Sequence, residues 1–227
     1  MNGRRGRRSL ALVSVLWGCG SPQGPEVAGG YVCQGPLSFA DAAVEEAVRE
    51  AVLGADASPE ETLSYPALLG LTGLDISDRG VTNLDGLECA QGLQILNASG
   101  NAVGSLSPLA HLPRLSELDI SDQNIASLTG LDALVELRLL AARGLGLEDL
   151  SFVREMSKLT GLDVANNDIE TLDELTALSH LAQLNLTDNR VEDLAPLATE
   201  CQLGILVADG NQVSNAAPLS ACEDLYY

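Results

Sequence analysis

From residue 71 onward the apolar positions fall into one repeated phrase. Its first Leu stands at Leu74, Leu96, Leu118, Leu140, Leu162, Leu184 and Leu206, in steps of 22 residues without an insertion. A second apolar residue follows two places on, at Ile76, Ala98, Ile120, Ala142, Val164, Leu186 and Ala208. A third closes the phrase at Val81, Val103, Ile125, Leu147, Ile169, Val191 and Val213. Leu-x-Leu has the two-residue period of a strand and places both side chains on one face. Between phrases a Leu recurs every third position, as in Leu106, Leu109, Leu112 and Leu115, which suits short 3-10 turns. One such unit cannot bury its apolar side alone, whereas stacked units share a continuous core. The expected fold is therefore α/β: an elongated solenoid of seven coils, with parallel strands on one side and 3-10 turns on the other.

Upstream of the repeats the period changes. Residues 39–54, FADAAVEEAVREAVLG, read as an amphipathic helix. Asp41 is the expected N-cap, Val44, Val48, Ala51 and Val52 form the apolar stripe, and Gly54 ends it. Ser58, Pro59 and Glu61 have the spacing of a capping box and predict a second helix start there. These elements make residues 33–70 an expected helical cap over the first coil, with the repeats occupying 71–227. Residues 19–32 are rich in Gly and Pro and read as a flexible tether. Residues 1–18 combine Arg4, Arg5, Arg7 and Arg8 with an apolar run from Leu10 to Trp17. That run is far short of the ~20 residues that cross a bilayer, and it reads as an export signal.

Composition sharpens the picture. The 227 residues are 46% hydrophobic but only 3% aromatic, as expected of uniform Leu layers rather than a globular core. The formal charge is -20, and without the four N-terminal arginines eight basic residues would face 32 acidic ones. Such a surface repels nucleic-acid phosphates and anionic lipid head groups, and it favours a basic partner or a cation. The same acidity also keeps a Leu-rich chain soluble.

The phrase L-x-L-x-x-N-x-I resembles the leucine-rich repeat family, in the 22-residue form of the bacterial internalins and SDS22-like proteins. The resemblance implies a right-handed horseshoe with its strands on the concave face and a helical N-terminal cap. It also implies that Asn101, Asn167, Asn189 and Asn211 turn inward as a ladder bonding backbone groups of successive bends. Arg79, Gln123 and Leu145 interrupt that row. Gln123 can substitute, or Asn124 can shift inward, while Leu145 cannot bond and predicts an altered bend in coil 4. Leu16-Trp17-Gly18-Cys19 resembles the lipobox of bacterial lipoproteins, which implies lipidation at Cys19 and an outer-membrane lipoprotein held by acyl chains alone. A plain signal peptide cut elsewhere is the alternative.

Four further cysteines remain. Cys201 and Cys222 occupy neighbouring places on adjacent coils, and Cys33 has Cys89 of the first coil within reach. Two disulfides would suit an oxidising compartment, the alternative being four buried small apolar residues. Nothing marks an enzyme: His111 and His180 lie three coils apart, about 14 Å, and no phosphate loop or Ser-His-Asp set occurs. No cofactor is expected. A flat row of Asp supplies few of the roughly seven oxygens Ca2+ takes.

The family's usual binding surface is the concave face, where three lanes of residues stand beside the buried Leu. Its expected partner-binding residues are Asp75, Asn97, Glu117, Asp119, Leu139, Ala141, Arg143, Asp163 and Asn185. In coil 4, Leu139, Ala141 and Arg143 break an acidic strip, which points to the binding centre. Function is thus expected to be non-catalytic binding of a protein partner by a lipid-anchored, exported monomer. The alternative is an envelope component self-associating through its uncapped C-terminal end at 225–227.

Overall fold

The computed structural model describes residues 33, 37–56, 58, 61–199, 203–214 and 219–220. The expected export signal, Cys19, the tether, Cys201, Cys222 and residues 225–227 lie outside the described residues.

The first Leu of each phrase centres a three-residue strand: β1 Gly73–Asp75, β2 Ile95–Asn97, β3 Glu117–Asp119, β4 Leu139–Ala141, β5 Gly161–Asp163, β6 Gln183–Asn185 and β7 Ile205–Val207. They pair in parallel, in sequence order, in a single sheet. The register sets Leu74 beside Leu96, then Leu118, Leu140, Leu162, Leu184 and Leu206, in one row. A three-residue strand has no stability of its own, so the row of identical neighbours is what holds it. Opposite the sheet run 3-10 segments at Leu87–Cys89, Ser107–His111, Leu131–Ala133, Ser151–Val153, Asp173–Ala177 and Ala195–Thr199. The core lies between these two walls. Coil 2 shows its make-up: Leu93, Leu96, Ala98, Val103, Leu106, Leu109, Leu112 and Leu115 are all buried.

The first coil is covered by helix α1, Ala42–Leu53. Asp41 caps it, its Oδ1 accepting the Ala43 N–H at 3.0 Å. Asp41 Oδ2 accepts the N–H of Thr82 in coil 1 at 2.9 Å, so one carboxylate both starts the helix and docks it. Burial pushes this carboxyl up, but the bonds from Thr82 and Ala43 outweigh burial and hold its pKa below the usual value. The buried stripe is Val44, Ala47 and Val48; Ala51, expected inside, is exposed. By angle Ala51 falls on the same side as Val44 and Val48, so the helical wheel does not account for its exposure; it stands in the last turn of α1, which ends at Leu53.

The expected helix start at Ser58 is not observed. Residues 61–64 are non-helical, and the Glu61 N–H meets the Ser58 carbonyl, not its side chain, at 2.9 Å. Helix α2 begins later, at Tyr65–Leu69, with a Pro in its first turn. Ser64 is the extended N-cap, and Pro66 stands in the first turn, where its missing N–H and fixed φ cost the helix nothing. Cys33 and Cys89 are joined by a disulfide with Cα atoms 5.7 Å apart, tying the segment before the cap to coil 1.

At the bend after each strand a side-chain amide stitches the coils together. Asn189 Oδ1 accepts the Ile169 N–H of the preceding coil at 3.0 Å. Its Nδ2 donates to the carbonyls of Val164 and Leu186, both at 2.9 Å. Asn101, Asn167 and Asn211 repeat the same set of bonds. Gln123 makes it too, accepting from Val103 and donating to Ala98 and Ile120. Asn124 stays exposed.

The residue before each ladder position is left-handed in every coil: Asp78, Gly100, Asp122, Gly144, Asn166, Asp188 and Gly210 all have positive φ. These are the residue types that tolerate that conformation. Coils 1 and 4, whose ladder positions hold Arg79 and Leu145, carry a second left-handed glycine just after it, Gly80 and Gly146. The bend of coil 4 thus turns by backbone conformation where its neighbours use an amide.

Candidate protein-binding face

Strand residues that alternate with the buried Leu project into a shallow groove of about 420 Å³ running from β2 to β7. The lane at the strand start holds Gly73, Ile95, Glu117, Leu139, Gly161, Gln183 and Ile205, side by side as the register requires. Ile95, Leu139, Ile205 and Val207 are each more than a third exposed, unusual for large apolar side chains in a protein with so full a core. Leu139 leans across β5, its Cδ2 standing 2.7 Å from where a Cβ on Gly161 would lie. Gly161 is what lets it lie flat, and Gly161 itself is buried.

The middle lane holds Asp75, Asn97, Asp119, Ala141, Asp163, Asn185 and Val207. Its polar members have a local duty that the repeat pattern did not reveal. Asp75 Oδ1 accepts both the N–H and the hydroxyl of Ser77, at 2.9 and 2.7 Å. Those bonds hold the Asp75 carboxyl below its usual pKa. Asn97 with Ser99 and Asn185 with Thr187 do the same, and Asp119 and Asp163 take the N–H of Ser121 and Ala165. Each ends its strand with an Asx turn. Where a hydroxyl stands two residues on, as Ser77, Ser99 and Thr187 do, it adds a second bond to the turn.

Ala141 lacks such an oxygen, and in coil 4 the Ser121 hydroxyl of the preceding coil accepts the Arg143 N–H instead, at 3.2 Å. The Arg143 Nε points at the same hydroxyl, at 3.4 Å. Its guanidinium stands 3.9 Å from both Asp119 and Asp163, bridging coils 3 and 5. Arg143 is therefore a clamp between two carboxylates rather than a free cation. Beneath it Ser121 is wholly buried and Ala165 nearly so, which removes both from the recognition surface. Of the acids expected on this face, Glu117 is the one for which no bond or ion pair is found among the described residues. No three His, Cys, Asp or Glu side chains among the described residues converge to hold a metal ion. His180 Nδ1 contacts the Ser157 carbonyl on the far side of the coil, at 3.1 Å.

Comparison with known proteins places this geometry. The family model described as Leucine Rich repeats matches residues 91–133 and 157–199. Seven parallel strands in register, 3-10 turns opposite and an N-terminal helix complete the pattern. It is a leucine-rich repeat solenoid of the 22-residue type. Similar solved structures are internalins from Listeria monocytogenes. One internalin (inlF) superposes with a TM-score of 0.77 at 28% identity, covering 83% of this chain and 55% of that one. Internalin C2 (inlC2) superposes with a TM-score of 0.73 at 23% identity, covering 83% and 92%. The functional domain of InlJ, which includes a cysteine ladder, gives 0.65 at 22% identity, covering 82% and 44%. The solenoid thus spans about half the length of the inlF chain. No curated protein matches at a significant level.

Proposed function

We propose that this leucine-rich repeat protein binds a protein partner on its concave face and catalyses no reaction. The observation that carries this reading is the set of exposed apolar side chains that the concave sheet presents, Ile95, Leu139, Ile205 and Val207, the first three of them lining the groove. A preformed apolar floor with a polar rim is the anatomy of a recognition surface. With a single Arg and no aromatic residue in its lanes, the interface is a modest one. The residues in reach of the partner are Asn97, Glu117, Asp119, Leu139, Ala141, Arg143, Asp163 and Asn185, with Asp75 at the N-terminal edge.

The protein acts outside the cytoplasm. The Cys33–Cys89 disulfide is of a kind that persists in oxidising compartments, and residues 1–18 supply the export signal. Cys19 carries the lipid that holds the solenoid to the envelope.

A photo-crosslinking residue placed at Leu139 tests the binding face in the native cells, with Val135 as control. Both are exposed to a similar degree, at 42% and 49%. Only the residue-139 probe is expected to yield a discrete adduct, identified by mass spectrometry. Equal adducts from both positions, or none from either, would overturn the assignment. Cys19→Ala tests the anchor: the variant should leave the membrane fraction, and retention there would exclude lipidation at this residue.

A further inference from the structure

Six seams join the seven coils, and they are not alike. Four of them carry the same three links at the bend. Between coils 4 and 5, for example, Leu147 donates to Asn167 Oδ1, Asn167 donates to the Ala142 carbonyl, and the Asp168 N–H bonds the Leu147 carbonyl. The seams between coils 1 and 2, 5 and 6, and 6 and 7 match it. Gln123 keeps both side-chain links between coils 2 and 3.

Between coils 3 and 4 none of the three exists among the described residues. Leu145 stands where the amide belongs, so the Ile125 N–H has no acceptor from coil 4. The Ile120 carbonyl keeps only the bond from Gln123 of its own coil. No backbone bond joins Gly146 to Ile125, whereas Asp168, Arg190 and Gln212 each make the equivalent one. On the strand side the same seam is intact. Ile120 and Asp122 donate to the carbonyls of Ala141 and Arg143 at 2.9 and 2.8 Å, and Arg138 and Leu139 donate to Ser116. Arg143 reinforces that edge through Ser121 and Asp119.

A seam bonded along one edge and joined along the other only by apolar packing has the mechanics of a hinge. Leu145 is half-buried against the core, and dispersion contacts tolerate sliding that a hydrogen bond does not. A solenoid has no contacts between distant coils that could bypass a weak seam. We propose that the junction of coils 3 and 4 is a built-in hinge. The cap with coils 1–3 and the body of coils 4–7 swing about it, with Arg143 as the latch. The groove straddles this junction, since Glu117 and Asp119 lie on one side and Leu139 and Ala141 on the other. Swinging therefore changes the curvature of the face that the groove lines. The hinge rests on hydrogen bonding alone and is independent of the groove's occupant.

Hydrogen exchange with residue resolution on the full chain tests it. The Ile120 and Asp122 amides are bonded as well as Val164 and Asn166, their counterparts one seam beyond coil 4's own. Opening of the bend edge peels the strand bonds nearest to it, so Ile120 and Asp122 exchange more than about tenfold faster than that pair, while Arg138 and Leu139, at the far end of the same seam, stay protected. Leu145→Asn with Gly146→Asp copies Asn167-Asp168 of coil 5 and should slow exchange at Ile120, Asp122 and Ile125. Arg143→Ala should speed it at Ile120 and Asp122. Equal protection of the two pairs in the unaltered protein overturns the hinge without need of any variant. So does an Arg143→Ala protein that is folded and whose Ile120 and Asp122 rates are unchanged.

Discussion

Truncating Asn189 to Ala isolates what a ladder amide contributes. Asn189 is 5% exposed and Ile169, whose N–H it accepts, is fully buried. Removing the amide leaves that buried donor without a partner, at about 1–3 kcal/mol. The carbonyls of Val164 and Leu186 also lose a bond each, but they keep donors in Asn167 and Asn211. Their loss adds less than the orphaned N–H, and the total is roughly 2–4 kcal/mol. For a chain of this size that lowers the melting temperature by about 5–15 °C. Far-UV circular dichroism during thermal and urea unfolding reads the effect. Two substitutions calibrate it within the same protein. Asn189→Gln should cost less than about 1 kcal/mol, because Gln123 makes the same bonds at 3.0–3.1 Å. Asn124→Ala, one residue beyond the row and exposed, should stay within about 0.5 kcal/mol of the parent. The ladder is not a stabilising device if Asn189→Ala is as harmless as Asn124→Ala, or if Asn189→Gln is as damaging as Asn189→Ala.

Three other perturbations address the cap and the bends. Replacing Cys33 and Cys89 together by Ser frees a loop closed over 56 residues and should cost about 4 kcal/mol, seen as a lower urea midpoint; an unchanged midpoint would mean that the cap holds without its staple. Gly100→Ala meets both a left-handed φ of 66° and the Asp78 side chain, and should cost about 1–3 kcal/mol, whereas Gly204→Ala, with its nearest new neighbour at 3.7 Å, should be near neutral in the same melt. Asp41 has a folded pKa below its ordinary value of 3.8, so its contribution is present above that value and lost as pH falls through the folded one. Asp41→Asn should accordingly flatten the fall of melting temperature between about pH 5 and pH 2, and an unaltered slope would show that the carboxylate does not couple cap to coil.

The architecture was legible because it is periodic. A Leu every 22 residues sets strand register, and the observed row from Leu74 to Leu206 results from it without reference to anything distant. Helix α1 was legible for a similar reason, since an Asp and a Gly bracket its apolar stripe. The capping-box spacing at Ser58 misled because a motif of three residues states only a local preference. The chain stays extended as far as Ser64, and the helix starts only at Tyr65, where Pro66 can occupy the first turn. The Asx turns were hidden differently. Aligning the repeats shows Asp or Asn in the middle lane, but an acidic lane and a lane of strand terminators look alike until the residue two places on is read with it. Ser77, Ser99 and Thr187 carried that signal.

Coil 4 is where periodic reasoning stops being sufficient. Three departures meet there: Ala141 for an Asx, Arg143 for a small residue, and Leu145 for the amide. Taken singly along the chain they mark an irregular coil and a candidate contact point. Only in space does their relation emerge, because each changes how coil 4 is bonded, within itself or to a neighbouring coil. Ala141 gives up the strand-end turn, and Ser121 from coil 3 takes over the Arg143 N–H. Arg143 then reaches back to Asp119 and forward to Asp163, joining three coils on the concave side. Leu145 gives up the amide, and nothing replaces it on the bend side among the described residues. The strand edge of this junction is thus reinforced while its bend edge is stripped, and the same coil exposes Leu139 to the groove. A drifting repeat would lose bonds on either edge indifferently. Loss on one edge with gain on the other leaves the sheet continuous and gives the solenoid a direction in which to flex.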